Sequence, residues 1–410
     1  MNILKLLYKL TAWQRILISM ICGIIVGSYL DTQVSPFLYL GTIFLNLIKM
    51  VTIPLIFFTI IYGITNIDSV NGLYRISMKA ISAFILTAFI AVSVGLVTAT
   101  LLKPGINVDM QILMHNIPEH TQQIHSLANI LINIIPTNVI ASMAEGNVLQ
   151  VIVFAFFVGA VLQAKRDTSR ELIKVCHQIS ALLFRMIEAI MLVAPIGVFG
   201  YITAIVGNGG INIILIIGKL VSAIFIGCII QYIIFGLMII LCSKMSPMPF
   251  YRKMLEPQLL AFSTSSSKAT LVPLMRVAES RLGISEKNSK FLLPLSATLN
   301  MDGGAIYQSI CAVFFSQALA IDLSLADYGT LIIMCTIASI GGAGIPGGVL
   351  LFLGMVLQSV GIPIDGVLIV ASVDRILDMV TTVINITGDA CVTLLIDRSE
   401  NTLNKNIYDS

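Results

Sequence analysis

Hydrophobic residues in this chain fall into long runs, and the polar residues between them follow a pattern. The first half holds apolar runs at 16–30, 36–65, 80–102, 127–162, 179–206 and 211–242. A helix needs about 20 residues to cross a bilayer. Each run therefore predicts a membrane span, the second, fifth and sixth being long and tilted. The run from 127 contains Pro136 and a polar patch at 145–147, which predicts several helical pieces.

Beyond residue 256 the pattern changes. Segment 258–277 is interrupted at 263–268, 291–320 at 300–304, 328–361 at 341–348, and 366–396 at 385–389. The first is too short to cross, turn and return as two full helices. The third has a glycine-rich tip that cannot continue a helix cheaply. Both predict re-entrant hairpins, whose irregular backbone must line a buried or watery cavity. Each hairpin precedes a helix with an Asn/Asp/Gly break, so 258–320 and 328–396 form a repeat. Their basic flanks open them to opposite faces, which makes the repeat inverted and places its site near the bilayer midplane.

The last segment, 366–396, carries the densest polar pattern. At roughly 100° per residue, Asp374, Asp378, Thr381, Thr382, Asn385 and Asp389 share an arc of roughly 100°. Arg375 borders that arc, and Thr387 is the polar exception outside it. A carboxylate costs about 2.5–3.5 kcal/mol at the centre of a membrane helix. Three on one stripe must face a wet or ion-filled interior.

Composition agrees. Of 410 residues, 57% are hydrophobic and 11% charged, with a mean hydropathy of +0.97, against about 25% charge in soluble domains. The net charge of +3 is small and indicates no nucleic-acid partner. Basic residues cluster before run one, after run two, between runs four and five, and after run six. The N- and C-termini are therefore expected in the cytoplasm of a multi-pass protein of the cell (inner) membrane. No small-residue cleavage site follows the first run, so it is read as an uncleaved span with Trp13 at the interface. The seven cysteines form no CxxC pair, and neither disulfides nor zinc are indicated. His115, His120 and His125 share one polar loop, read as exposed. Arg185 and Glu188 are read as a structural pair.

The breaks supply chemistry. Unwinding at 300–304 frees carbonyls, Asp302 and Asp389 add charge, and Asn300 and Asn385 add neutral oxygens. Hard cations take such oxygens. The alternative for a lone Asn-Met-Asp-Gly is a helix break with Asp302 at the next N-terminus; the second Asn/Asp cluster in the mirrored position favours ions. The tip Ser265–Ser267 offers hydroxyls and N–H groups that attract a carboxylate. The 341–348 tip can do the same, and its glycines suit a lid hinge. Asp378 can accept an ammonium, so a zwitterion fits, with its carboxylate at the serine tip and Asn385.

TSSSKATLVPLMRVAE, LPLSATLNMDGGAIYQ, ASIGGAGIPGGVLL and VDRILDMVTTVINITGDA, in that order, resemble the dicarboxylate/amino acid:cation symporters, the glutamate transporter family. APIGVF and LIKMVTIPLIF fit as well, and the similarity runs over essentially the whole chain. The resemblance implies an all-α membrane protein of eight transmembrane helices plus two re-entrant hairpins, working as an elevator-type homotrimer in lipid. Its scaffold would comprise approximately 1–70 and 127–206, and its transport domain 76–105 and 211–400. Substrate ligands implied are Ser265, Ser266, Ser267, Gly304, Ile345, Pro346, Gly347, Gly348, Val349, Asp378, Thr381 and Asn385. Cation ligands implied are Ser296, Thr298, Asn300, Asp302, Ser339, Asn385 and Asp389. A third ion site of the family aligns with Phe84, Thr87 and Ala88.

Departures bear on selectivity. Thr381 stands where acidic-substrate members have an arginine, and Gly304 where they often have threonine. Small neutral amino acids thereby become candidates beside aspartate, glutamate and dicarboxylates. Lys268 or, by helical phase, Arg375 could restore a positive charge; Arg375 could equally pair with Asp378 or Asp374.

The function expected is secondary symport of an amino acid or dicarboxylate coupled to Na⁺ or H⁺, with no enzymatic cofactor. An intramembrane aspartyl protease would need facing aspartates in a Gly-x-Gly-Asp context, which is absent. A channel would need symmetric rings of one residue type, whereas these polar groups converge asymmetrically.

Overall fold

The chain is seen in a computed structural model that describes residues 12–30, 34–65, 73–106, 108, 135–145, 148–209, 212–341, 348–363, 367–371 and 373–410. The described residues are overwhelmingly helical and include no strand. Helices α1 (Ala12–Leu30), α2 (Ser35–Thr65) and α3 (Leu73–Leu102) follow the first three runs. The fourth run divides as its polar patch predicts, into α4 (Val139–Ala144) and α5 (Val148–Ala164). Asn138 caps α4, its Oδ1 accepting from Ile140 N at 3.0 Å. The loop with the three histidines lies outside the described residues.

Helix α6 (Arg170–Gly209) outruns its predicted core at both ends. Its segments Arg170–Ile187 and Leu192–Ala204 meet at 49°. Pro195 accounts for the bend, since it cannot donate to the carbonyl four residues earlier. Arg185 is exposed, and the side chain of Glu188 lies outside the described set. Helices α1, α2, α5 and α6 pack on one another through small residues. A Cβ on Gly41 would stand 2.8 Å from the Tyr201 ring, and one on Gly197 would collide with Phe44.

A second group contains α3, α7 (Asn212–Met238) and everything after it. Helix α7 ends in a π-helical turn, Ile239–Ser243. Arg75 and Lys79, expected in a loop, lie instead in the first turns of α3, where both pair with Glu400.

The first hairpin is longer than its apolar run. Helices α8 (Met248–Thr264) and α9 (Ser267–Ser280) are joined through Ser265 and Ser266 alone, not across the whole polar stretch 263–268. Ser265 turns the chain with φ 50°, and Ser266 caps α9. The next helix breaks where expected, but only at Asn300 and Met301, between α10 (Glu286–Leu299) and α11 (Asp302–Ala318). Gly303 and Gly304 are already helical. Helices α12 (Leu325–Gly341) and α13 (Gly348–Ser359) pack together as the second hairpin, with tip residues 342–347 outside the described set.

The final segment corrects a second expectation. A short α14 (Val367–Ala371) precedes α15 (Asp374–Ser399), and α15 runs unbroken through 385–389. Its Gly388 costs some helix propensity, but tertiary packing overrides this. The apolar side of α15 is buried as well: Leu377, Ile384, Ile386 and Ala390 are all within the core. The helix is therefore central, packed by α3, α7, α8, α9, α10 and α11. Thr387, the polar exception, receives a hydrogen bond from Gln258 Nε2 of α8 at 3.0 Å.

Among the described residues, Arg75–Leu102, Leu215–Ser243 and Asp374–Ser399 are each long and apolar enough to cross a membrane, and the bent α6 pair passes the same test jointly. At one end, Asp397 is fully buried and accepts from Ser285 N (3.0 Å), Ser285 Oγ (2.5 Å), Asn288 Nδ2 (2.6 Å) and Thr402 Oγ1 (2.6 Å). Helix α16 (Lys405–Asp409) closes the chain, with Lys253 Nζ donating to the carbonyls of Ile407 and Tyr408.

Candidate functional site

Two polar centres flank the broken helix. One is a small cavity between the hairpins, α11 and α15. Its walls include Ser265 and Ser267 at the first hairpin tip, Gly304 and Gln308 on α11, and Asp378, Thr382 and Asn385 on α15. Met301, Ala338, Ser339, Val349 and Phe352 complete it.

The other centre is buried beneath it. Asp302 and Asp389 are both fully buried. Asn300 links α3 to α15: Thr87 Oγ1 donates to its Oδ1 at 3.1 Å, and its Nδ2 donates to Asp389 Oδ1 at 3.1 Å. Thr87 also lies near Asp302, but its single proton is committed to Asn300 or to Phe84 O. Both oxygens of Asp302 and Oδ2 of Asp389 are left without a hydrogen-bond donor. Asp302 Oδ2 lies close over Gly388, 3.0 Å from where a Cβ would stand. Two dry carboxylates with three unused oxygens form an intensely anionic point, stable when a cation or protons neutralise it. The unpartnered atoms are carboxylate oxygens, which fit a hard cation, while Asn300 turns its Nδ2 to Asp389. Among the described residues no group of three or more His, Cys, Asp and Glu could hold a metal ion.

The unwound joint connects the two centres. Asn300 points to the carboxylates, whereas Met301 lines the cavity and its N–H donates to Ser339 Oγ at 3.1 Å. Two residues further, Gly303 N donates to Asn385 Oδ1 at 2.8 Å. Helix α11 can come this close because residue 303 has no side chain: a Cβ there would collide with the Thr381 carbonyl.

The structure thus gathers Ser265, Ser267, Gly304, Val349, Asp378 and Asn385 around the cavity, and Asn300, Asp302 and Asp389 at the buried centre. Ser339 stands in the cavity wall, its hydroxyl accepting from Met301 N. Ser296 is fully buried beside Asp389, with its hydroxyl bonded to Leu293 O. Four residues are placed elsewhere. Ser266 Oγ accepts from Ala269 N at 3.2 Å as a helix cap. Thr298 bonds to Pro294 O, not to a carboxylate. Thr381 is buried against α11, with its hydroxyl on Asp378 O. Gly348 starts α13. Ile345, Pro346 and Gly347 lie outside the described residues.

Gln308 and Thr382 were missed as cavity residues. Gln308 follows Gly304 by one helical turn, and its Nε2 donates to Val349 O at 3.1 Å. Thr382 lay on the polar arc, a signal that was available; its hydroxyl bonds to Asp378 O at 2.6 Å. Phe352 carried no polar signal at all. The arc's first carboxylate, Asp374, accepts from Tyr307 Oη at 3.0 Å within the core. Arg375 Nη1 lies 3.8 Å from Asp378 Oδ2, so the carboxylate assigned to an ammonium already faces a cation.

The model of the sodium:dicarboxylate symporter family matches residues 12–399. The chain belongs to that family. It is 33% identical over 407 residues to a proton/glutamate-aspartate symporter of Escherichia coli (strain K12), covering 95% of this chain and 92% of the relative. It is 30% identical to a proton/sodium-glutamate symport protein of Bacillus subtilis (strain 168), covering 95% and 93%. It is also 30% identical to a C4-dicarboxylate transport protein of Laribacter hongkongensis (strain HLHK9), covering 98% and 92%. The protein is a cation-coupled symporter of the cell membrane, not an enzyme.

Proposed function

We propose that the cavity carries an acidic amino acid, coupled to Na⁺ or H⁺ at the Asp302/Asp389 centre. The observation that carries this reading is the Asn300–Met301 joint, whose two residues serve one centre each. The names of the relatives, which include glutamate-aspartate symporters, support the substrate class. Ser267 Oγ is buried without a partner and meets the α-carboxylate, together with Asn385. Asp378 meets the amine. Arg375, 3.8 Å from the cavity residue Asp378, supplies the positive charge for the side-chain carboxylate that Thr381 cannot supply.

Coupling follows from electrostatics. Without a cation, the two buried carboxylates repel and strain the Asn300 bridge. Neutralising them settles Asn300, which fixes Met301 and the Gly303–Asn385 contact and so completes the cavity wall. A C4-dicarboxylate is the second reading. It is favoured by the Arg375–Asp378 contact, which occupies the carboxylate an ammonium would need.

The group α1, α2, α5 and α6 serves as scaffold, and α3 with α7 to α15 as the moving unit, in a homotrimer with cytoplasmic termini. The grouping of helix contacts supports this division. Proteoliposomes with imposed Na⁺ or pH gradients test the function. Accumulation of labelled L-aspartate or L-glutamate, outcompeting succinate, serine and alanine, is the expected result. Preference for succinate selects the second reading, and leak without accumulation rejects both. Asp378→Asn should abolish amino-acid uptake and spare succinate only if the second reading holds.

A further inference from the structure

Gln231 sits about two turns before the end of α7, fully buried, and neither its Oε1 nor its Nε2 has a hydrogen-bond partner. A side-chain amide offers two donor hydrogens and an acceptor, and folded proteins seldom leave such a group unused. Helix α7 has no part in the site as described so far.

The position of Gln231 can be read from its neighbours. Gly227, Gln231 and Phe235 are spaced i, i+4 and i+8 and form one stripe of α7. A Cβ on Gly227 would stand 2.8 Å from Ile306 Cγ2 and 3.1 Å from Ile310 Cδ1. At the other end of the stripe, Phe235 Cζ lies 3.0 Å from the Cβ position of Gly388, and Asp302 Oδ2 lies 3.0 Å from that same point. Asp302, Ile306 and Ile310 are themselves one stripe of α11. The two stripes run side by side in opposite directions, so Gln231 faces the turn from Asp302 to Ile306. An unpartnered buried amide on α7 and an unpartnered buried carboxylate on α11 thus lie on facing stripes, with no hydrogen bond between them.

We propose that Gln231 is a further ligand of the coupling-cation site, contributing its amide oxygen from α7. The inference rests on the reading of Asp302 and Asp389 as that site. With the cation bound, Oε1 adds a neutral oxygen to the carboxylate oxygens of Asp302 and Asp389. With the cation gone, rotation of the amide presents Nε2 to the Asp302 carboxylate. One side chain thus answers both charge states without any water entering, and ties α7 to the joint that links cation and substrate.

Thermal unfolding of the purified full-length protein in detergent tests this without any substrate. Tm is followed against NaCl, with choline chloride holding ionic strength, and against pH in choline chloride alone. The cation that stabilises the wild type should lose its effect in Asp302→Asn. In Gln231→Met, which keeps the side-chain length, its half-saturating concentration should rise about tenfold, as for support residues at other metal sites. A lower cation-free Tm with unchanged half-saturation would show that Gln231 only fills space, and would overturn the proposal while leaving the site intact. Wild-type cation dependence in Asp302→Asn would overturn the site and the proposal together. Should Gln231→Met not fold, Gln231→Glu carries the test: it is isosteric and adds charge beside Asp302, so an unchanged half-saturation there rejects the ligand role.

Discussion

The backbone N–H of Gly303 donates to Asn385 Oδ1 at 2.8 Å, joining the first turn of α11 to the centre of α15. Both partners are buried, and Asn385 also lines the cavity. The contact holds the cavity wall in register with the unwound joint.

Replacing Asn385 by alanine leaves the Gly303 N–H buried and unpaired, which costs about 1–3 kcal/mol. Uptake of the transported substrate should fall at least about tenfold, with expression and membrane insertion retained. Initial uptake rates in proteoliposomes, normalised to reconstituted protein, check this; a wild-type rate would remove Asn385 from the site.

Gly303→Ala should be more damaging. Its Cβ would collide with the backbone carbonyl of Thr381, and backbone cannot move aside as a flexible side chain can. Overpacking of this kind costs about 1–3 kcal/mol or more. Fluorescence-detected size-exclusion chromatography after mild heating should show loss of the folded peak at a lower temperature than for the wild type.

Ser339→Ala removes the acceptor of the Met301 N–H. Because Met301 and Asn300 are adjacent, the effect should appear in cation dependence as well as in substrate affinity. The half-saturating cation concentration for uptake should rise by about threefold to tenfold. A change in substrate affinity alone would show that the joint does not couple the two centres.

Asp397→Ala strips the acceptor from four donors on Ser285, Asn288 and Thr402. Hydrogen bonds to a charged group contribute about 1.5–3 kcal/mol, so Tm in detergent should drop by several degrees. Uptake measured well below that Tm should be nearly normal, since no cavity residue is touched.

Glu400 supplies a pH prediction outside the spans. The hydrogen bond from Lys79, together with Arg75, holds its carboxyl below the usual glutamate range. Its contribution is therefore present above the ordinary glutamate pKa of about 4.3 and is lost as pH falls through the lowered value. Arg75 is 73% exposed on its side chain and Lys79 41%, so the contribution stays within about 1 kcal/mol. Tm of Glu400→Gln should lie slightly below wild type at neutral pH and converge with it on acidification. A constant offset across the titration would refute the pairing.

The sequence alone determined the helical, membrane-grade character of the chain, the breaks near residues 265 and 300, the six-residue polar arc and the family. These properties are local: hydropathy, glycine, proline and helical phase act within a few residues. Tertiary structure decided which polar groups work together. Ser266 became a cap, and Thr381 turned its backbone to Gly303 rather than its side chain to the cavity. Asp374 found Tyr307, and Arg375 came to face Asp378. Helix α15 continued through a motif that seemed to break it, because neighbours on all sides stabilise it beyond what its propensity dictates. Gln308 and Gln231 drew no signal from spacing, since their roles depend on helices that the sequence does not place beside them. A hydrogen bond is a relation between two positions in space, and only packing brings those positions together.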